Sequence, residues 1–113
     1  MSFKAQLVER GTQPARDLNE VLEEKWVTFL KDQHYSEFIR CYRLDARRLK
    51  TRPAAVRLAK AMGHEIDVKT ITKHETSVRS FKVEPTGELH AIAAYLVLPN
   101  WVIEQSFRTT RFL

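Results

Sequence analysis

The chain has 113 residues and a mass of 13.2 kDa, with 43% hydrophobic and 29% charged residues; this suits one globular domain spanning 1–113 and is too apolar for a disordered chain. Lys and Arg number 19 against 14 Asp and Glu, a net charge of +5, which steers anionic partners but says nothing of fold. Cys41 is the single cysteine, so an intramolecular disulfide is excluded; Met1 to Gly11 lacks an apolar signal-like segment and no apolar run is long enough to span a bilayer, so a cytoplasmic protein without membrane attachment is expected.

Phe3, Ala5 and Leu7 alternate with Lys4 and Gln6 before Gly11 and Pro14 break the pattern, which predicts a short strand or ordered tail and then a loop over 1–16. A helix is predicted over 17–31. Asp17 and Glu20 form a capping box, and Leu18, Val21, Leu22, Trp26, Phe29 and Leu30 fall on one face. A second helix is predicted over 36–50, with Ser36 as cap. Its apolar stripe is Ile39, Tyr42, Ala46 and Leu49, and its basic stripe Arg40, Arg43, Arg47 and Lys50. A strand over Glu37–Leu44, with Phe38, Tyr42 and Leu44 on one face, is the rival reading. Pro53 in a first turn and Gly63 at a C-terminal cap bracket a short third helix over 53–62, with Val56, Ala59 and Met62 inward.

From Glu65 onward Thr, Val and Ile become frequent, which favours strands. Val78–Glu84 and Glu88–Leu98 flank Pro85-Thr86-Gly87 and read as a hairpin. Ala91–Leu98, apolar on both faces, reads as a central strand, and Ile66–His74 as a third strand of an antiparallel meander. Pro99 ends the run, Asn100 caps a brief helix holding Trp101, Val102, Ile103 and Phe107, and Thr109–Leu113 is β-like or frayed. The expected fold is therefore α+β, with N-terminal helices packed on a small antiparallel β-sheet. A winged-helix-like variant is the alternative. There Asp67–His74 is a recognition helix presenting Lys69, Thr72 and Lys73, the hairpin is a wing, and Arg79 or Lys82 reaches phosphates. The five β-branched residues Val68, Thr70, Ile71, Thr72 and Thr76 suit a strand at least as well.

Motifs for catalysis or metal binding are missing. His64-Glu65 opens like a zinc-protease helix, but position 68 is Val. A site joining His74 and His90 lacks ligand spacing, and no Cys pair supports zinc. No serine sits in a nucleophile elbow, and the three glycines are too far apart for a phosphate-cradling loop. Cys41 lies among arginines that would lower its pKa if exposed, but a small apolar filler is the plainer role. No cofactor is expected. What stands out is charge: between Arg40 and Lys60 eight basic residues face one acid, Asp45, a local +7. Phosphate backbones reward such clustering through counterion release. The expectation is a non-enzymatic binding protein that contacts nucleic acid through Arg40, Arg43, Arg47, Arg48, Lys50, Arg52, Arg57, Lys60, Lys69 and Lys73. Tyr42, beside the arginines, is either core or a stacking surface for a base. The alternative is a small inhibitor, adaptor or assembly subunit whose basic face docks on an acidic protein. The same charges permit a homo-oligomer, with Glu20, Glu23 and Glu24 of one copy on the arginine face of another.

Overall fold

The computed structural model describes residues 17–32, 35–76 and 87–111, with side chains described up to residue 106. Asp17 caps a single 3-10 turn, Leu18–Glu20, by accepting the Asn19 N–H at 2.9 Å. The chain then bends through Val21–Glu23 and starts helix α1 at Glu24–Asp32. The expected helix over 17–31 is thus divided, because the cap closes a short turn. Its core face is nevertheless used: Leu22, Trp26 and Leu30 are buried, as is Val27.

Helix α2, Tyr35–Cys41, continues into a π-helical turn, Tyr42–Ala46. The Arg47 N–H reaches back to the Tyr42 carbonyl and the Leu49 N–H to the Arg43 carbonyl, both at 3.0 Å, with Arg48 between them in the left-handed region at φ 57°. Helix α3, Arg52–Ala61, begins where the Thr51 hydroxyl accepts the Ala54 N–H and ends at Gly63, whose φ of 90° suits only glycine well. Of the residues expected inward, Ala59 is buried and Val56 half-buried, but Met62 is exposed. Helix α4 is Val68–Thr76, α5 is Gly87–Leu96 and α6 is Asn100–Arg111. Helix α5 packs on α6 and α3; α2 packs on α4 and α6; α3 also packs on α4.

The α+β expectation is overturned: every regular element among the described residues is helical. There is no antiparallel sheet or meander there, and the winged-helix-like arrangement goes with it. Two physical reasons account for this. At 67–76 the β-branched residues are accommodated by local hydrogen bonds. Asp67 caps the helix by accepting the Thr70 N–H at 2.8 Å, and the Thr72 and Thr76 hydroxyls donate to the carbonyls four residues back at 2.9 and 2.7 Å. Ile71, His74 and Glu75, spaced at helical intervals, are all buried; a strand would have turned His74 and Glu75 to opposite faces. At 87–96 the apolar run surrounds the helix, with Leu89, Ala91, Ile92, Ala93, Tyr95 and Leu96 buried. A short run apolar on all sides fits a buried helix or a buried strand equally by pattern. Three alanines, Ala91, Ala93 and Ala94, favour the helix. Gly87 opens α5 instead of closing a hairpin, and the expected first hairpin strand Val78–Glu84 and its turn Pro85-Thr86 lie outside the described residues, as does the expected strand within 1–16. Beyond Pro99, α6 runs on through Thr109–Arg111, where a frayed or β-like tail was expected.

Helix α5 ends on a turn in which the Val97 N–H bonds the Ala94 carbonyl at 3.0 Å and the Leu98 N–H the Ala93 carbonyl at 2.9 Å. This is the glycine-type C-terminal cap, yet it places β-branched Val97 at φ 57° with its side chain half in solvent. Val97→Gly is expected to raise the unfolding free energy by about 1 kcal/mol, since the strain removed exceeds the entropy added to the unfolded chain. Urea denaturation of the two proteins checks it.

Candidate nucleic-acid interface

The ten basic candidates divide by the company they keep. Arg43 is buried. Its Nε donates to Glu75 Oε2 at 2.7 Å and its Nη2 to Glu75 Oε1 at 2.9 Å, while Nη1 donates to the Leu49 carbonyl at 2.7 Å. Arg52 Nε reaches the same carboxylate at 3.0 Å. Arg40 pairs with Glu37 one helical turn away. Arg47 is half-buried with its Nε enclosed, and Lys73 Nζ stands 3.6 Å from Glu88 Oε1. Arg48, Lys50, Arg57, Lys60 and Lys69 are exposed, and none pairs with a carboxylate among the described residues. The local +7 is thus partly spent inside the protein. Arg43 lies one turn after Ile39, at the border of the apolar stripe, and a counter-charge from α4, 32 residues away in sequence, holds it inward. The outward cations belong mainly to α3 and α4. Arg57 and Lys60 share one helical face, Lys69 and Lys73 another. Helix α3 contains no acid, and the only acid in α4, Glu75, is buried. Glu65 and Asp67, in the connecting turn, are the nearest exposed carboxylates in the chain.

Three functional-looking residues escape the sequence reading. Glu75 sits at the fourth position from Ile71, so helical periodicity would have placed it inward. Tyr35 and Glu88 flank His74, whose ring is fully buried. The Tyr35 hydroxyl lies 2.8 Å from Nδ1, and Nε2 lies 2.9 Å from Glu88 Oε1. Burial holds His74 below its usual pKa, outweighing the Glu88 hydrogen bond that raises it. The ring is therefore neutral near pH 7. A carboxylate only accepts, so Nε2 carries the proton and Nδ1 accepts from the Tyr35 O–H. Hydrogen bonding to His74 in turn lowers the Glu88 pKa. Both ring nitrogens are occupied, which removes His74 from the site with His90 considered above. His90 faces Glu104 at 3.9 Å.

The Tyr–His–Glu chain resembles a proton relay, but the tyrosine end is sealed, and burial pushes its hydroxyl pKa well up. Its evident work is to join α2, α4 and α5. Cys41 is not activated by its arginine neighbour: burial raises the thiol pKa by more than Arg40 lowers it. Tyr42 is half-buried and stacks on Phe38 at 5.6 Å, with Trp26 edge-on at 5.0 Å, so it belongs to an aromatic core cluster. Among the described residues no group of three or more His, Cys, Asp or Glu is placed to hold a metal, and no helix is long and apolar enough to cross a membrane. No family model, curated protein or solved structure matches the chain.

Proposed function

We propose that the chain is a binding protein that contacts nucleic-acid phosphates through Lys50, Arg57, Lys60, Lys69 and Lys73. The observation that carries this reading is the outward faces of α3 and α4: they bear cations and no carboxylate. The weak, half-exposed Lys73–Glu88 pair does not withdraw Lys73, since such pairs are worth little in water. Arg43 and Arg52 act from within, holding the loop and α3 that carry the outer cations. Contacts of this kind position a protein on the backbone without reading bases.

Fluorescence anisotropy with labelled single-stranded and duplex DNA at several salt concentrations tests the reading. Log affinity should fall linearly with log salt, by roughly 0.9 per phosphate contact on duplex and 0.7 on single strands. Replacing Arg57, Lys60 and Lys69 together by alanine should make the slope shallower by roughly 2 to 3 units. No binding at low salt, or an unchanged slope in the triple variant, overturns it. Retention of an acidic protein after nuclease treatment, with no oligonucleotide binding, would assign the face to protein docking.

A further inference from the structure

A second site lies at the junction of α1 and the π-helical turn. An open concavity of about 480 Å3 is lined by Lys25, Trp26, Phe29, Leu44, Asp45 and Arg48. Trp26, Phe29 and Leu44 supply apolar wall. The Trp26 and Phe29 rings lie 5.8 Å apart and tilted by 60°, and Lys25 Nζ stands over the Trp26 ring, 5.6 Å from its centroid. The lining charges are two cations against one carboxylate. Half of the lining residues are charged, so the concavity suits a ligand that carries charge beside an apolar part.

Arg48 gives the concavity its meaning. It occupies the left-handed region at φ 57°, where a glycine would sit without strain. Arg43 fixes the residue that follows Arg48, Leu49, and the Tyr42 carbonyl fixes the one before, Arg47, by accepting its N–H at 3.0 Å. The Arg43 carbonyl accepts the Leu49 N–H at 3.0 Å, and the Arg43 guanidinium donates to the Leu49 carbonyl at 2.7 Å while Glu75 fixes its other end. Strain of this kind persists only where the surroundings over-determine it, and it collects at binding sites. Two further pocket residues, Leu44 and Asp45, come from the π-helical turn, itself a feature frequent at functional sites. The fold draws no ion pair from the Arg48 guanidinium among the described residues. The exposed Arg48 thus places a cation at the rim of the cavity, across from Lys25.

We infer that this pocket binds a small organic anion with a planar aromatic body, its ring against the half-buried Phe29 and Leu44 and its carboxylate or phosphate between Arg48 and Lys25. The inference does not rest on the nucleic-acid reading, since Arg57, Lys60, Lys69 and Lys73 take no part in the pocket.

Titration with 1-naphthoate, 1-naphthylmethanol and acetate, followed by the Trp26 indole and arginine Nε resonances, tests it. Naphthoate should bind saturably with a Kd on the order of 1 mM or tighter. Naphthylmethanol and acetate should each bind at least about ten-fold more weakly. Arg48→Gly should raise Tm by relieving the backbone while weakening naphthoate about ten-fold or more; Arg48→Met, which keeps the strained backbone, should weaken it equally. Asp45→Asn should tighten it. Val97→Gly relieves the same strain elsewhere and should leave affinity unchanged. Wild-type affinity in Arg48→Gly and Arg48→Met, equal affinity for naphthoate and naphthylmethanol, or no saturable binding overturns the inference.

Discussion

Glu75→Ala is expected to cost about 3–5 kcal/mol of unfolding free energy, the range found when one member of a buried ion pair is removed. Arg43 explains the size of the effect. Its side chain is 4% exposed, and a guanidinium buried there needs a counter-charge. Without the carboxylate, a full charge remains in the interior with the Leu49 carbonyl as its one remaining hydrogen-bond partner among the described residues. Arg52 would suffer less, since its side chain is 30% exposed and can turn to water. The double variant Arg43→Met with Glu75→Met should recover most of the loss, because two apolar side chains of similar length replace two charges and leave none stranded. Urea denaturation of the wild type, Arg43→Met, Glu75→Met and the double variant forms a complete cycle. A coupling near zero between positions 43 and 75 would contradict the ion-pair geometry. The cycle also bears on the outer surface: losing Arg43 frees the loop at Lys50, so oligonucleotide binding should weaken in Arg43→Met without any loss of a surface charge.

Helix legibility in the sequence followed the strength of local signals. Pro53 and Gly63 bracket α3 because each fits a backbone state at a helix end that few other residues fit, and the structure places them there. Leu22, Trp26 and Leu30 repeat at helical spacing and are buried as that spacing implies. What failed was the choice between helix and strand where pattern was silent. At α5 the apolar residues surround the helix, so neither period stands out. At α4 the signal was obscured because two of the three buried residues are polar, His74 and Glu75. Hydrophobic patterning counts such residues as surface, and they become core only through Tyr35, Arg43 and Arg52, partners at least 23 positions distant in the chain. The same blindness inflated the basic run. Charges were summed along the sequence, and the carboxylate that pairs with two of the arginines, cancelling one charge, arrives through the tertiary fold.

The second large effect concerns acid. His74 is neutral and enclosed in the folded protein, with its pKa below the ordinary 6.5, whereas in the unfolded chain it takes up a proton near that value. The unfolded state therefore binds more protons below about pH 6.5, and stability must fall as the pH drops from there through the folded-state pKa. The slope approaches about 1.4 kcal/mol per pH unit for one proton. Every charged neighbour acting on the ring has to be counted. Glu88 and Glu75 favour the imidazolium and Lys73 opposes it, but desolvation outweighs them. At lower pH two carboxylates add to the decline. Glu88 and the α4 cap Asp67 both have folded pKa values below their ordinary 4.5 and 3.8, so each contributes stability that disappears on protonation. The expected profile, from urea midpoints between pH 7.5 and 3.5, is a first loss beginning near neutrality and a second below the ordinary carboxylate range. His74→Gln should remove the first loss; the second should persist through Asp67 and shrink by the part of Glu88 that depends on the His74 hydrogen bond. A wild type equally stable at pH 7 and pH 5 would mean that the ring charges inside the fold, and that the Tyr35–His74–Glu88 chain does not hold a neutral imidazole at the junction of α2, α4 and α5.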